Sequence, residues 1–333
     1  MPIATLTETL DNFYTSTWQH MKDDVADQIF DATPFWYWLK ENGKLESIRG
    51  GRFVTEPLQF ASSDGVKWIG RGGTVTFNDF QFLTTARFDW RYLVGNITRF
   101  GVDDQQNAGK MQIISTANAK MENLKNSIIT EMESRLFGAS GAVVAGTTTE
   151  DAQAFDGLQN LVADDPTASL DVGGYNQSTE AWWRNKATNM TGKSFATYGL
   201  ASMRTLLNNT SNNLRQDSPD IILSGQTPYE FYEDTVLPVY RVTNRKMVDM
   251  GFENIQFKGR PMVWSPSCAN TRMYMLNTRF FKFFYDPALF FDLTEWKPIP
   301  NQVNDRVAHN VTACGFKISR RRCQGVMHTI DTQ

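Results

Sequence analysis

The residue types that carry enzyme chemistry are sparse in this chain and do not converge. There are three histidines, His20, His309 and His328, and the last two stand 19 residues apart, which matches no metal-ligand spacing. His309 falls on an alternating strand pattern, where a histidine serves as a structural residue far more often than as a base. The three cysteines, Cys268, Cys314 and Cys323, are an odd number without metal-site spacing and read as reduced thiols. Asp103-Asp104 and Asp164-Asp165 are adjacent carboxylates, a pattern that suits helix starts and solvated loops. Gly70-Arg71-Gly72-Gly73 lacks the dinucleotide-binding spacing, and Ser224-Gly225-Gln226 lacks that of a phosphate loop. No nucleophile-elbow motif occurs. The expectation is therefore no catalytic residue, no metal and no cofactor. Arg320-Arg321-Arg322 is the one tight basic run and reads as a solvated face. With a formal net charge of −3, nothing in the charge balance points to sequence-specific nucleic-acid binding.

With no chemistry to position, the elements themselves carry the information. Residues 49–99 read as a long β-ribbon. Phe88, Trp90, Tyr92 and Val94 alternate with Arg87, Asp89, Arg91 and Leu93, the period of two that sends successive side chains to opposite faces. Val75 and Phe77 alternate in the same way, and Ser63-Asp64-Gly65 reads as a turn near the tip. A two-stranded ribbon is marginal in water by itself. It must lie on its own domain core or on a partner. Its cations Arg49, Arg52, Lys67 and Arg71 are candidate assembly contacts.

A long helix follows, over 103–137. Met111, Ile114, Ala117, Met121, Leu124, Ile128, Met132 and Leu136 recur at spacings of three and four and share one face. Asp103 and Asp104 suit its positive end and Gly138 its C-terminus. Before the ribbon, residues 1–48 read as an aromatic-rich helical arm. The apolar run Pro34-Phe35-Trp36-Tyr37-Trp38-Leu39 is either a core plug or a docking site on a neighbour, so Phe35, Trp36 and Trp38 join the candidate contacts. After the helix, 139–176 reads as loop with at most short elements. A mixed α/β stretch, 156–264, holds a helix over 194–208, a buried strand at Ile221-Ile222-Leu223, and a helix start with Thr227 as N-cap, Pro228 at the first position and Glu230 completing a capping box. Strands are expected at 273–276, 280–285 and 307–318.

At 333 residues the chain can hold two domains, and 41% hydrophobic with 21% charged residues is ordinary for a soluble globular protein. The 13% aromatic content supplies large area to cores and interfaces alike. No signal-peptide pattern opens the sequence, and no apolar run is long enough to span a membrane.

The order of parts resembles the major capsid proteins of tailed bacteriophages with the Hong Kong 97 phage fold. Ile48-Arg49-Gly50-Gly51-Arg52-Phe53-Val54 looks like the strand entering that family's E-loop hairpin, and 87–95 like the strand leaving it. Residues 102–137 look like its spine helix. Gly157-Leu158-Gln159-Asn160-Leu161 resembles the short gly-leu segment that opens the axial domain, and 220–236 resembles a strand and helix inside it. The resemblance implies an α+β fold: an N-terminal arm (1–48), an E-loop β-hairpin (49–100), a peripheral domain (101–155 and 265–333) with the spine helix, and an axial α/β domain (156–264).

The resemblance further implies a structural protein, not an enzyme, whose copies form hexamers and pentamers of an icosahedral head around double-stranded DNA. The DNA would be enclosed without sequence-specific binding. It implies a scaffolding protein, a portal and decoration proteins as partners, no membrane, and a virion assembled in the bacterial cytoplasm. Two other readings stay open: an encapsulin-like cargo shell or other virion protein, and a two-domain α/β enzyme with an unrecognised site. An enzyme would form a small, discrete oligomer with a polar-lined apolar pocket.

Overall fold

The computed structural model describes residues 15–16, 34–61, 66–74, 81–101, 110–138, 153–211, 217–236, 255–302 and 305–332. Its elements run α1 (Pro34–Glu41), β1 (Leu45–Ser47), β2 (Phe53–Gln59), β3 (Leu83–Asp89), β4 (Arg91–Arg99), α2 (Lys110–Phe137), α3 (Leu158–Leu161), β5 (Asp171–Val172), β6 (Tyr175–Asn176), β7 (Lys186–Asn189), α4 (Leu200–Thr210), β8 (Ile221–Ser224), α5 (Gln226–Val236), β9 (Ile255–Phe257), β10 (Arg260–Trp264), β11 (Met273–Leu276), β12 (Phe281–Tyr285), β13 (Asp292–Leu293), β14 (Lys297–Pro298), β15 (Arg306–Ile318) and β16 (Gly325–His328).

The first sheet is built around β15. Its N-terminal two-thirds pairs antiparallel with β4, from Arg306 opposite Arg99 to Cys314 opposite Arg91. Its C-terminal part pairs with β12, and β1 adds parallel to β12. β13 and β14 complete the six strands. On one face lies α2. Met121, Ile128, Met132 and Leu136 of the expected stripe are buried and Leu124 is half-buried. Each fully buried apolar side chain of this kind is worth about 1.5–3 kcal/mol. The helix can come this close because position 95 is glycine: a Cβ there would sit 2.5 Å from a Leu124 methyl. The expected helix start at Asp103-Asp104 and the side chains of Met111, Ile114 and Ala117 lie outside the described residues, as do the Ser63-Asp64-Gly65 turn and the Val75–Phe77 alternation.

α1 settles the aromatic run of 34–39 as a core plug. Phe35, Trp36 and Leu39 are buried, with the Trp36 ring 5.0 Å from Phe283 and 5.3 Å from Phe316. As candidate assembly contacts, Phe35 and Trp36 are therefore corrected: their surface is spent inside the protomer. Trp38 is half-buried and turned inward, its indole N–H 3.5 Å from the Asp220 carboxylate.

The second sheet has the order β7-β16-β11-β8-β10-β9. Every residue of β8 is buried, so the strand is covered on both faces. Ile222 faces Met203, Leu206 and Leu207 of α4 and Tyr229 and Tyr232 of α5, while Ile221 and Leu223 join the core shared with the first sheet. Two expected boundaries shift. β11 and β16, placed by the sequence with the peripheral part, are hydrogen-bonded into this sheet. All four residues of β11 are buried, Tyr274 and Leu276 in the core shared with the first sheet and Met273 and Met275 in the core under α4 and α5. β4, counted with the ribbon, belongs to the first sheet. The helical pattern of 194–208 resolves into a π-helical turn, Phe195–Gly199, and then α4. α5 begins at Gln226, ahead of the expected cap. Thr227 and Pro228 sit in its first turn, and Glu230 accepts from the Gln226 side-chain amide at 2.8 Å instead of closing a capping box.

Candidate assembly surface

The ribbon, β2 paired with β3, is braced at its root, and of its tip residues 66–74 are described. One face of the root is buried: Val54 and Leu58 on β2, Ala86 and Phe88 on β3. The opposite face, with Phe53, Thr55, Pro57, Leu83, Thr85 and Arg87, is exposed. Entry into the ribbon turns on Gly50 and Gly51, whose φ values of +68° and +95° suit glycine. Trp90, where the chain leaves the ribbon for β4, donates its indole N–H to the Gly51 carbonyl at 3.0 Å and sets its ring 5.1 Å from Phe284.

Three further contacts fix the root to the body. The hairpin of β5 and β6 lies beneath β3. Arg87 N–H donates to the Gly173 carbonyl at 3.0 Å, and the Tyr175 hydroxyl bonds the Thr84 hydroxyl and donates to the Thr85 carbonyl at 3.3 Å. Gly173 has φ +64°, and its ideal Cβ would sit 3.0 Å from Ala86 Cβ, so a larger residue would lift the ribbon. The Phe60 and Trp182 rings meet at 5.7 Å. Finally, Lys317 of β15 is buried between two carboxylates, Glu56 of the ribbon and Glu46 of β1, both at 3.0 Å. Lys282 adds a second cation 3.2 Å from Glu46. Burial works to raise the Glu46 carboxyl, but the hydrogen bonds and charges of Lys317 and Lys282 outweigh it and hold Glu46 below the usual carboxylate range. Its share of the clamp is therefore present at neutral pH and lost as the pH falls through that depressed value.

The basic run misleads at its centre. Arg320 and Arg322 reach solvent, but Arg321 is fully buried. Its guanidinium donates to the carbonyls of Leu161 at 2.8 Å and Asn160 at 3.2 Å, and to Gln177 Oε1 at 2.9 Å, gathering α3, the loop after β6 and the C-terminal strands at one point. Burial pulls it down to about 9 while Asp156 pulls the other way, so it stays cationic at neutral pH. Only its long-range carbonyl partners distinguish Arg321 from its neighbours, and no local sequence signal marks them.

The tip is the opposite of the root. Trp68 is fully exposed at 104% of its reference area, with Val66 at 87% and Ile69 at 50% beside it. Lys67 and Arg71 stand exposed among them, and Arg49 and Arg52 are exposed where the ribbon leaves the body. Arg52 lies over the Phe53 ring, 5.0 Å from its centre. Along the free side of β4, next to α2, runs a groove of about 340 Å³ bordered by Tyr92, Val94, Met132 and Phe155. Among the described residues no group of three potential metal ligands occurs, and no helix is long and apolar enough to cross a membrane. His309 lies on β15 with its backbone N–H bonded to the Thr294 hydroxyl at 3.0 Å.

Neither a family model nor a curated protein matches the sequence. Solved structures do match the fold. The capsid of cyanophage A-1(L) superposes with a TM-score of 0.62 at 18% identity, covering 88% of this chain and 92% of that one. The chain has the Hong Kong 97-type capsid fold. The capsid of the Myoviridae phage XM1 is similar at a TM-score of 0.52 and 11% identity, over 87% of this chain and 91% of that one. An encapsulin of Synechococcus elongatus PCC 7942 is similar at 0.51 and 12%, over 90% and 88%. The capsid fold is thus shared by phage heads and an encapsulin, and what separates them lies outside the fold.

Proposed function

We propose that this chain is the major capsid protein of a tailed phage, assembling through copies of itself into the hexamers and pentamers of an icosahedral head around double-stranded DNA. One observation carries the reading: a ribbon clamped at its root, toward whose tip a fully exposed Trp68 stands among Val66, Ile69, Lys67 and Arg71. An exposed apolar cluster of this kind is stabilised by burial on a partner. Obligate interfaces bury on the order of 2,000–5,000 Å², and a ribbon lying across a neighbour's peripheral part is one way to reach that area. On this reading 34–48 anchors the N-terminal arm, the first sheet and α2 form the peripheral part, and the second sheet forms most of the axial part. A scaffolding protein, a portal and decoration proteins are the expected partners, and the virion, assembled in a bacterial cytoplasm, is the destination.

The test compares the wild-type chain with one in which residues 61–81 are replaced by a short turn. The deletion spares the buried root residues Leu58 and Ala86. Expected are large closed particles for the first and folded small species for the second. Particles of equal size from both would overturn the role of the ribbon. The encapsulin likeness keeps a cargo shell as the second reading. Nucleic acid inside particles made in the native host would support the capsid, and a packaged enzyme the cargo shell.

A further inference from the structure

Lys317 is buried between two carboxylates, and Asp217 is buried against Arg320 at 2.8 Å. Glu133 of α2 is buried without such an opposite charge among the described residues. Its side chain crosses from α2, on the first sheet, to the loop that follows β10 of the second. There it accepts from the Ser265 hydroxyl at 2.7 Å. Ser265 is buried too and held in that loop. Its N–H donates to the Ser224 carbonyl at 3.0 Å, and its carbonyl accepts from the Cys268 N–H at 3.1 Å.

The titratable groups around this contact are turned to other partners. Arg272, in the same loop, donates from Nε to the Asp164 carboxylate at 3.0 Å, and the Cys268 thiol lies 3.8 Å from the Ala269 carbonyl. On α2 itself Arg135 pairs with Glu131 at 2.6 Å. Asp156, in the segment packed against the end of α2, has Arg91 and Arg321 as its cations. One neutral hydroxyl cannot repay the desolvation of a full negative charge. A hydroxyl can also accept, so Ser265 serves the neutral acid as readily as the anion. Burial accordingly holds the Glu133 carboxyl above the usual range despite the Ser265 bond.

The contact lies at a seam. Four residues on, α2 ends at Phe137, whose carbonyl accepts from the Gln159 side-chain amide at 2.9 Å. That bond ties the end of the helix to α3, whereas Glu133 ties it to the second sheet. We propose that Glu133 is a proton-operated latch between α2 and the second sheet. Protonated, it bonds Ser265 and the seam is closed. Ionised, it draws water into the seam, and the loop after β10 moves off the helix. Gln159 keeps its grip on Phe137, so the opening is local. A carboxyl held above its ordinary value is protonated, and the seam closed, below the folded value; the seam opens as the pH rises through it. The latch belongs to one copy of the chain and goes beyond the shell reading without depending on it.

Hydrogen exchange of the full chain at pH 5 and pH 8, corrected for the intrinsic rate at each pH, reads the latch directly. Amides of 134–138 and 262–268 are expected to lose about tenfold in protection at pH 8, which one pH unit past the folded value supplies. The β4–β15 ladder should not change. Glu133→Gln, neutral at both pH values, should keep its pH 5 protection at pH 8. Wild-type protection that is equal at the two pH values, or lost to the same extent in Glu133→Gln, would overturn the latch. Should the variant not fold, the wild type decides alone: a loss that extends to the β4–β15 ladder is global unfolding and would overturn it as well. Light scattering on the same samples reports assembly separately, so a chain that never exceeds a small oligomer would overturn the shell reading while the exchange result still decides the latch.

Discussion

Arg321 is where a single side chain ties α3 and the segments after β6 to the C-terminal strands. Its fork satisfies two backbone carbonyls and the Gln177 amide oxygen in a site without solvent. Removing a buried, hydrogen-bonded charge leaves its acceptors bare and costs about 3–5 kcal/mol. Arg321→Met is expected to lower unfolding stability by that amount in urea titrations; a loss under 1 kcal/mol would show the acceptors finding other donors. Glu133 of α2 works with the opposite sign. It is buried, accepts from the Ser265 hydroxyl at 2.7 Å, and burial holds its carboxyl above the usual range despite that bond. A raised folded value favours the protonated form. The stabilisation is present below the unfolded value of about 4.3 and is lost as the pH rises through the folded one. Glu133→Gln, which keeps the acceptor, should match wild type near pH 4 and exceed it near pH 7. Urea midpoints at the two pH values check this, and a gap that widens toward acid would contradict it.

Elements divide by whether their logic is local. The α2 stripe was legible because a period of 3.6 is written in consecutive residues, and β8 because a short apolar run bounded by turn signals reads as a buried strand. What β4, β11 and β16 pair with was not legible, since β4 takes its partner from more than two hundred residues away and nothing in residues 91–99 names it. The same holds for the 34–39 run, whose choice between plug and docking site was made by Phe283 and Phe316. Of the candidate contacts, the ribbon cations were legible as exposed, whereas Phe35 and Trp36 were misassigned because an aromatic side chain suits a core and an interface equally. At Gly157 the reason for the residue is a close approach: a Cβ there would lie 2.2 Å from the Gly138 carbonyl and 2.5 Å from that of Arg135, both backbone at the end of α2. Gly157→Ala should cost about 1–3 kcal/mol as an overpacked contact that cannot relax through a side chain, and a neutral effect in thermal unfolding would show that α3 can slide. At the ribbon, Trp68→Ala should leave unfolding stability within about 0.5 kcal/mol, as expected of a surface position, while reducing the assembled fraction. Equal loss of both would place Trp68 in the protomer's own core.

At the scale of the whole molecule, the structure shows a capsid fold with a ribbon braced at its root, and the proposal is that contacts between copies use it. Among the described residues no group of three potential metal ligands occurs. The sequence predicts a ribbon that needs a partner; the structure buries one face of the root on its own chain and leaves the other face and the described tip residues exposed. The measurement that tests this most directly is the mass of purified protein by size-exclusion light scattering with negative-stain microscopy, alone and with a co-expressed scaffold. Shells, capsomers or tubes of megadalton size are expected. A monomer or small oligomer under every condition would contradict the proposal.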